Sequence, residues 1–166
     1  MDHSGYVIRN AASPLETLQA LDLLRSIYVD EGFTDPGVAP RLFSANRLDG
    51  QGDLIVAATL DGRVVGAVLF LGQGSTLLQI SQPEEAEFRL LGVCPTARGK
   101  GCGRLLVEEC LRRSRLRGAR RIVLSTQPTM LVAHRLYECL GFRRQVERDW
   151  HSSSGRAMRV YALELS

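Results

Sequence analysis

The chain has 166 residues, of which 45% are hydrophobic, and a formal net charge of +3 at pH 7. This length predicts one domain with its own hydrophobic core, and so small a charge does not require a nucleic acid or a membrane surface as a partner. No apolar run is long enough to span a bilayer and no signal peptide is recognisable, so we expect a single cytoplasmic domain over residues 6–166. Four cysteines without Cys-x-x-Cys spacing and three scattered histidines predict reduced thiols and no metal site.

The first half of the chain predicts one long helix among short strands. Ser13-Pro14 forms an N-cap with proline at the first helical position, four leucines and Tyr28 follow at helical spacing, and Asp30-Glu31-Gly32 ends the helix. Asp61-Gly62 between two apolar runs is a strong signal for a β-hairpin. One further short helix is expected over residues 41–47, within an otherwise irregular segment. The predicted strands of this half are residues 6–10, 54–60 and 63–70.

The second half predicts strands that alternate with two more helices. One helix covers residues 101–117 and ends at Gly118, and the next begins at Pro128 and ends at Gly141. The strand that precedes the first of these helices should pair in parallel with the strand that follows it, which predicts a mixed sheet of the α/β class. The predicted strands of this half are residues 85–93, 121–125, 142–150 and 158–165, of which the last two form a closing hairpin.

A glycine-rich basic turn separates the central strand from its helix. Residues 98–104 read Arg-Gly-Lys-Gly-Cys-Gly-Arg, so backbone N–H groups, a helix dipole, Arg98 and Lys100 converge on one place. Such a place binds an anion, and a phosphate or pyrophosphate fits best. The turn is not a nucleotide-hydrolase phosphate loop, and it is not a dinucleotide fingerprint, because Arg104 stands where the third glycine would be.

This turn resembles the acetyl-CoA loop of the GNAT superfamily of N-acetyltransferases, whose pattern is Arg/Gln-x-x-Gly-x-Gly/Ala. Residues 133–142, Ala-His-Arg-Leu-Tyr-Glu-Cys-Leu-Gly-Phe, resemble the superfamily's Ala-x-x-Leu-Tyr-x-x-x-Gly-Phe signature. The resemblance implies a GNAT-like fold, a central mixed β-sheet of about six to seven strands flanked by about four helices. It also implies transfer of an acetyl group from acetyl-CoA to a primary amine of a small molecule, peptide or protein by direct attack in a ternary complex, without a metal.

The resemblance further implies which residues hold the cofactor. In this superfamily the central strand bulges and splays from its neighbour, so that its main chain pairs with the pantetheine arm. The backbone N–H of Leu91 would then meet the acetyl carbonyl, and Gly92 fits a bulge or a close backbone approach. The implied cofactor-binding residues are Leu91, Gly92, Val93, Arg98, Gly99, Lys100, Gly101, Cys102, Gly103 and Arg104.

Two catalytic residues are implied in the same way. Tyr137 would protonate the departing sulfur, because a phenol is an acid of suitable strength for a thiolate. Glu87 would act as general base on the acceptor, directly or through water. The alternatives are a core tyrosine on an apolar helix face and a solvent-facing carboxylate. Five further carboxylates form either an acidic approach for a cationic amine or a solvated surface, namely Asp30, Glu31, Asp35, Glu84 and Glu85.

Several points stay open at this stage. Met130 stands where members of the superfamily commonly carry an asparagine that helps to hold the pantetheine arm, and methionine cannot replace its hydrogen bonds; Ser125, Gln127 or Thr129 could compensate. His134 is expected to be exposed. The acceptor is not encoded in any motif, because acceptor elements in such folds are variable loops.

Two other readings of the chain remain. A non-catalytic acyl-CoA binder or sensor would keep the glycine loop without acceptor chemistry. The basic run over residues 112–121 has no interleaved aromatic residues and follows two glutamates, so we do not expect a nucleic-acid partner. The closing hairpin offers an edge strand that could pair across a homodimer.

Overall fold

The computed structural model describes residues 5–166, and within them eight strands and five α-helices follow one another along the chain. Two short 3-10 turns, at Pro95–Ala97 and Val146–Arg148, complete the regular structure of this part. The strands are β1 (Tyr6–Asn10), β2 (Asp53–Thr59), β3 (Val64–Leu71), β4 (Glu85–Val93), β5 (Arg121–Thr126), β6 (Arg143–Arg144), β7 (Trp150–His151) and β8 (Ala157–Glu164). The helices are α1 (Pro14–Asp30), α2 (Ala39–Leu42), α3 (Ala45–Leu48), α4 (Cys102–Leu116) and α5 (Leu131–Cys139).

One mixed sheet has the strand order β1-β2-β3-β4-β5-β8-β6, with β7 paired to β8. All its pairs are antiparallel except β4 with β5, which are joined through α4 and run in parallel. The residues of α4 and α5 pack on one face, around Phe70, Phe88 and Leu106. Those of α1 to α3 pack on the other, around Leu24 and Leu69. The mixed α/β architecture and the parallel central pair predicted from the sequence are therefore confirmed.

Local sequence signals account for the first helix and the first hairpin. The Ser13 hydroxyl accepts a hydrogen bond from the Glu16 N–H at 3.1 Å, and Pro14 follows at the first helical position. Gly32, with φ of 78°, follows α1 and prevents the helix from continuing. Gly62 takes φ of 89° in the turn between β2 and β3. The predicted helix start at Ser13-Pro14, the helix end at Gly32 and the hairpin turn at Asp61-Gly62 are therefore confirmed.

Three predicted elements differ from the structure. The helix expected over residues 41–47 is two short helices, α2 and α3, because Ser44 between them has an extended backbone. Helix α5 begins at Leu131 instead of Pro128, since residues 128 and 129 form a turn first. The expected closing hairpin is interrupted by the 3-10 turn at Val146–Arg148, so β6 is only two residues long. Such a short edge is a poor template for strand pairing, and the homodimer stays a prediction.

The central strand β4 is irregular on both of its sides. Its register with β3 shifts between the pairs Leu69↔Arg89 and Ala67↔Gly92, so that two residues of β4 oppose one of β3. At this bulge Leu90 has φ of 61°, a left-handed conformation that costs a non-glycine residue about 1–2 kcal/mol. Toward β5, pairing ends at Glu87↔Val123. The two parallel strands therefore diverge beyond that point and leave a gap between them.

Among residues 5–166, no helix combines the length and apolar character needed to cross a membrane.

Candidate active site

A cavity of about 550 Å³ opens where β4 and β5 diverge, a size suited to a small-molecule site. Leu91, in the bulge of β4, and Ser125, on β5, line the cavity from the two diverging strands. Tyr137 on α5 and Tyr28 on α1 line it from the two faces of the sheet. The strand bulge, the gap and the signature tyrosine of the sequence thus meet in one place.

Tyr137 has a buried ring and an available hydroxyl. The ring packs edge-on against Phe88, with centroids 5.9 Å apart, and also contacts Phe142 and Tyr161. Among residues 5–166 its hydroxyl makes no hydrogen bond, although Tyr137 lines the cavity. Burial raises the pKa of Tyr137 above its ordinary value, so the phenol keeps its proton at neutral pH. It belongs to the core and faces the cavity at once, so the two readings of Tyr137 are not exclusive.

Glu87 lies in a different environment from either reading of the sequence. Its side chain is fully buried, which makes the solvent-facing alternative wrong. Its carboxylate accepts hydrogen bonds from the backbone N–H groups of Gln79, Ile80 and Ser81 at 3.0–3.2 Å. Burial raises the pKa of Glu87, and these three N–H groups partly oppose that rise. The carboxylate thus fastens the loop between β3 and β4, and Gln79 of that loop lines the cavity.

The carbonyl of Leu91 is held by a residue that sequence reasoning placed only on a helix face. The Tyr28 hydroxyl donates to the Leu91 oxygen at 3.0 Å across the sheet from α1. Two residues further along the strand, the Arg98 guanidinium donates to the Val93 oxygen at 3.0 Å. These bonds fix the orientation of the peptide units Leu91–Gly92 and Val93–Cys94, which adjoin the Leu91 N–H that the resemblance assigns to the acetyl carbonyl, an assignment that stays a prediction. The spacing of Tyr28 from Leu24 marks its helix face but not its long-range partner.

Gly92 is required by packing against α1. A Cβ at this position would lie 2.8 Å from a methyl carbon of Leu24 and 3.3 Å from one of Ile27, and both side chains are buried. The atoms that exclude a side chain at Gly92 therefore belong to side chains of α1, and a close backbone approach at this glycine stays a prediction.

Replacing Gly92 by alanine is expected to lower the free energy of unfolding by about 1–2 kcal/mol, because the added methyl overpacks the interface of β4 with α1. Denaturant titration followed by circular dichroism measures this loss. Gly37→Ala is the control, since its Cβ meets no heavy atom within 4 Å, and it should change stability by less than about 0.5 kcal/mol. Equal stability of the two variants would contradict the packing explanation.

The glycine loop has the geometry of an anion cradle. Gly99 and Gly101 have φ of 78° and 84°, and a Cβ built on either meets no heavy atom within 4 Å. Within residues 5–166, the backbone N–H groups of residues 99–104 have no hydrogen-bond acceptor. Gly103 lies in the first turn of α4, where a Cβ would be 3.5 Å from Leu136. The loop therefore offers open space and free donors at a helix N-terminus, which fits a pyrophosphate.

The cations of the loop differ in availability. Arg98 forms a bidentate ion pair with Glu31, at 3.0 and 2.8 Å, so it does not join Lys100 in pointing at one spot as expected. Arg104 pairs with Glu108 along α4 at 2.9 Å. In the described part of the chain, Lys100 alone among the three has no ion pair. Arg98 instead ties the loop to the end of α1.

Cys102 contributes backbone to the loop and side chain to the core. Its thiol is buried, and burial raises its pKa to about 11. A Cβ added at Gly66 would lie 3.0 Å from the Cys102 sulfur, so the thiol packs against β3. The Cys102 side chain therefore fills a small space in the core.

Around the start of α5 the polar groups are arranged by contacts that spacing does not reveal. His134, expected to be exposed, is buried and bonds to the Thr126 hydroxyl at 3.2 Å and the Gln127 carbonyl at 3.0 Å. Burial lowers the pKa of His134. Met130 sits beside Thr126, while Ser125 and Gln127 line the cavity. Polar groups are thus present near Met130, and a compensating role for them stays a prediction.

The acidic approach is absent, because four of its five carboxylates are taken up by arginines. Glu31 pairs with Arg98, and Asp35 pairs with Arg156 at 2.9 Å. Glu85 is buried and bound by two arginines, whose hydrogen bonds lower its pKa against the effect of burial. The remaining pair joins Glu84 to Arg120. An acidic surface for a cationic amine is therefore not formed by these residues.

Most arginines of the basic run over residues 112–121 are likewise paired with carboxylates from other parts of the chain. Arg113 and Arg117 both pair with Asp53 at 3.0 Å. Arg117 also lies over the Phe70 ring, with 4.8 Å from its guanidinium carbon to the ring centroid. The other acidic partners of the run are Glu84, Glu85, Glu109 and Glu164. Much of this charge therefore serves the fold.

The chain is similar to known acetyltransferases in sequence. Residues 18–142 match the model of the Acetyltransferase (GNAT) family. An N-acetylaspartate synthetase of Xenopus tropicalis is 34% identical over 92 residues, which are 55% of this chain and 31% of that protein. The corresponding protein of Danio rerio is 31% identical over 104 residues, 63% of this chain and 34% of that protein. The chain thus spans about a third of the length of these relatives.

Solved structures agree on the fold. An acetyltransferase of the GNAT family from Staphylococcus aureus Mu50 has a TM-score of 0.75 at 18% identity and covers 97% of this chain and 99% of its own. A GCN5-related N-acetyltransferase from Kribbella flavida has a TM-score of 0.72 at 22% identity, covering 99% and 100%. The family model covers most of the sequence, and these structures share its architecture. The chain belongs to the GNAT family of acetyltransferases.

Proposed function

We propose that this chain transfers an acetyl group from acetyl-CoA to the primary amine of an acceptor. The observation that carries the proposal is the gap between β4 and β5, which has the anion cradle beyond one end and Tyr137 beside it. When bound, acetyl-CoA supplies the acetyl group activated as a thioester. The free N–H groups of residues 99–104, together with Lys100, would hold its pyrophosphate. The main chain of residues 88–93, unpaired toward β5, would hold the pantetheine arm.

Proton transfer in this proposal falls to Tyr137. Its buried phenol keeps its proton at neutral pH because burial raises its pKa. It would donate that proton to the departing sulfur. Since no hydrogen bond occupies its hydroxyl within residues 5–166, the donor is available.

Glu87 supports the acceptor side in a positioning role, and a general-base role stays a prediction. We expect Glu87→Gln to raise the acceptor KM, because one of the oxygens that accept from the loop over residues 79–81 becomes an N–H donor. The dependence of kcat/KM on pH should keep its shape. A base with the raised pKa of Glu87 would instead give activity that increases with pH as the Glu87 carboxyl loses its proton, in a range above the usual one for glutamate, and loss of that increase in the variant would establish the base role.

Calorimetric titration of acetyl-CoA into the full chain, followed by a thiol-release assay with a panel of amines, tests the proposal. The panel includes aspartate, because the curated relatives are named N-acetylaspartate synthetase. Binding with amine-dependent thiol release supports the enzyme. Binding without release for any amine supports the alternative, a non-catalytic acyl-CoA binder of the same fold. Failure of folded protein to bind acetyl-CoA rejects both.

A further inference from the structure

The cavity has an excess of positive charge on the side away from the glycine loop. Its lining contains four arginines and one aspartate. The aspartate, Asp35, is paired with Arg156. Among residues 5–166 the other three arginines, Arg41, Arg47 and Arg89, have no carboxylate within ion-pair distance. An amine acceptor that enters here meets three cations that have no carboxylate within 4.0 Å in this part of the chain.

Arg89 is the most constrained of the three. It stands in β4 between Phe88 and Leu90, both buried, and is itself half-buried. Its guanidinium donates to the Leu77 carbonyl at 3.0 Å, which leaves most of its donors unused. A partly desolvated cation without a carboxylate partner is energetically costly. Such a group is therefore expected where an anionic ligand binds and supplies the missing partner.

The neighbouring charges reinforce this arrangement. The positive charge of Arg47, on α3, lies close enough to lower the pKa of Arg89, although burial is the larger cause. Glu87 acts in the opposite direction, but its carboxylate is already bound by the loop N–H groups. Arg41, on α2, lines the rim of the same cavity and is exposed. Three elements therefore bring guanidinium groups to one pocket.

Position along β4 separates this cluster from the cofactor cradle. From Arg89 the strand passes through the bulge to Val93, a stretch that opposes only the three steps from Leu69 to Gly66 on β3 and therefore spans about 10 Å at the usual rise per residue. The glycine loop follows only after the 3-10 turn at Pro95–Ala97. Leu91 lies between the two along the strand, and Tyr137 lines the same cavity as the arginines. The arginines thus face the acceptor side of the proposed reaction.

We propose that the acceptor is an amine that carries an acid group, best an amino dicarboxylic acid, and that Arg41, Arg47 and Arg89 bind its carboxylates. This inference rests on the proposed acetyl transfer and specifies its substrate class. Guanidinium groups suit the task because they bind carboxylates with paired, charge-assisted hydrogen bonds. Two carboxylates on one amine would use more than one of the three arginines and leave the amine directed toward Leu91 and Tyr137.

The test compares direct binding of three probes to the full chain by calorimetry, at one ionic strength. The probes are L-aspartate, L-alanine amide and 1,4-diaminobutane, which carry two, no and no carboxylates. We expect L-aspartate alone to bind measurably. Arg47→Gln and Arg89→Gln should each weaken its binding by about tenfold or more, because each removes charge-assisted hydrogen bonds. In the thiol-release assay the same variants should raise the KM for aspartate and leave kcat nearly unchanged.

Arg115→Gln is the matched control, because Arg115 is exposed on α4, outside the cavity, and has no ion pair within residues 5–166. It should change neither aspartate binding nor acetyl-CoA binding. Thermal melting and circular dichroism establish that each variant is folded, and Arg41→Gln, at the rim, replaces Arg89→Gln if the strand variant does not fold.

The outcomes separate this inference from the proposed function. Preference for 1,4-diaminobutane, or loss of acetyl-CoA affinity in the arginine variants, overturns the acidic-acceptor site even if acetyl transfer is found. Arginine-dependent aspartate binding without acetyl-CoA binding supports the site and rejects the acetyltransferase proposal. Binding of both, with aspartate acetylated faster than the other amines, supports both.

Discussion

Replacing Tyr137 by phenylalanine is expected to lower kcat for acetyl transfer by about 10²–10³-fold, within the usual contribution of a positioned general acid. The affinity for acetyl-CoA should stay nearly the same, because the ring that fills the site is retained. Stability should also change little, since the Tyr137 hydroxyl makes no hydrogen bond among residues 5–166. Single-turnover measurement of thiol release reports the chemical step directly.

Tyr161→Phe is the matched control for this experiment. Tyr161 belongs to the same aromatic cluster, with its ring centroid 6.0 Å from that of Tyr137. Its hydroxyl bonds instead to Glu138, at 3.2 Å, and it does not appear in the lining of the cavity. Its removal should leave kcat within about threefold of the wild type. Equal losses in the two variants would assign the effect to packing of the cluster and reject Tyr137 as the acid.

Introducing two carboxylates into the glycine loop, as Gly101→Glu with Gly103→Glu, is expected to weaken acetyl-CoA binding by more than about hundredfold. A carboxylate within about 4 Å of a phosphate opposes it by several kcal/mol at an effective dielectric constant of about 20. The introduced carboxylates would also accept hydrogen bonds from the loop N–H groups and so compete with the phosphate groups of acetyl-CoA. Calorimetric titration of acetyl-CoA measures the loss.

The double alanine variant Gly101→Ala, Gly103→Ala separates charge from backbone strain. Gly101 has φ of 84°, so any side chain there costs about 1–2 kcal/mol whatever its charge. At Gly103 a Cβ makes ordinary contacts of 3.5 Å and 3.6 Å. Both double variants should therefore melt at a lower temperature than the wild type. The alanine variant should nevertheless keep most of the affinity for acetyl-CoA. Wild-type affinity in the glutamate variant would place the cofactor elsewhere.

Much of the fold could be predicted because its signals are local. Ser13-Pro14 caps a helix through atoms three residues apart, and Asp61-Gly62 turns a chain within four. The loop at residues 98–104 is also local, since glycines with positive φ and a helix start are neighbours in sequence. Boundaries were less certain where two signals compete, as at Pro128, where proline opens a turn and not the helix itself.

The sequence could single out Tyr137 because one residue type in one motif carries the resemblance; the structure places it in the lining of the cavity, and its catalytic role stays a prediction. The sequence did not reveal a role that depends on a distant partner. Arg98 pairs with Glu31, which is 67 residues away, and Tyr28 reaches the Leu91 carbonyl from 63 residues away. The sequence contains one further signal, Arg89, which stands between Phe88 and Leu90 in a buried strand. A cation is costly to bury in such a place, and this cost marks Arg89 as a candidate site residue.

By itself, the sequence determined most of the helices and strands, the glycine loop and the family of this protein, because helix caps, turns and backbone conformations depend on neighbouring residues. Tertiary structure alone decided which charges remain free. It buried Glu87 beneath three N–H groups and paired the carboxylates near the cavity with arginines. It also brought three arginines from β4, α2 and α3 to one pocket. The physical reason is that a charge is neutralised by whatever lies within a few ångströms of it, and folding sets those distances between residues far apart in the chain.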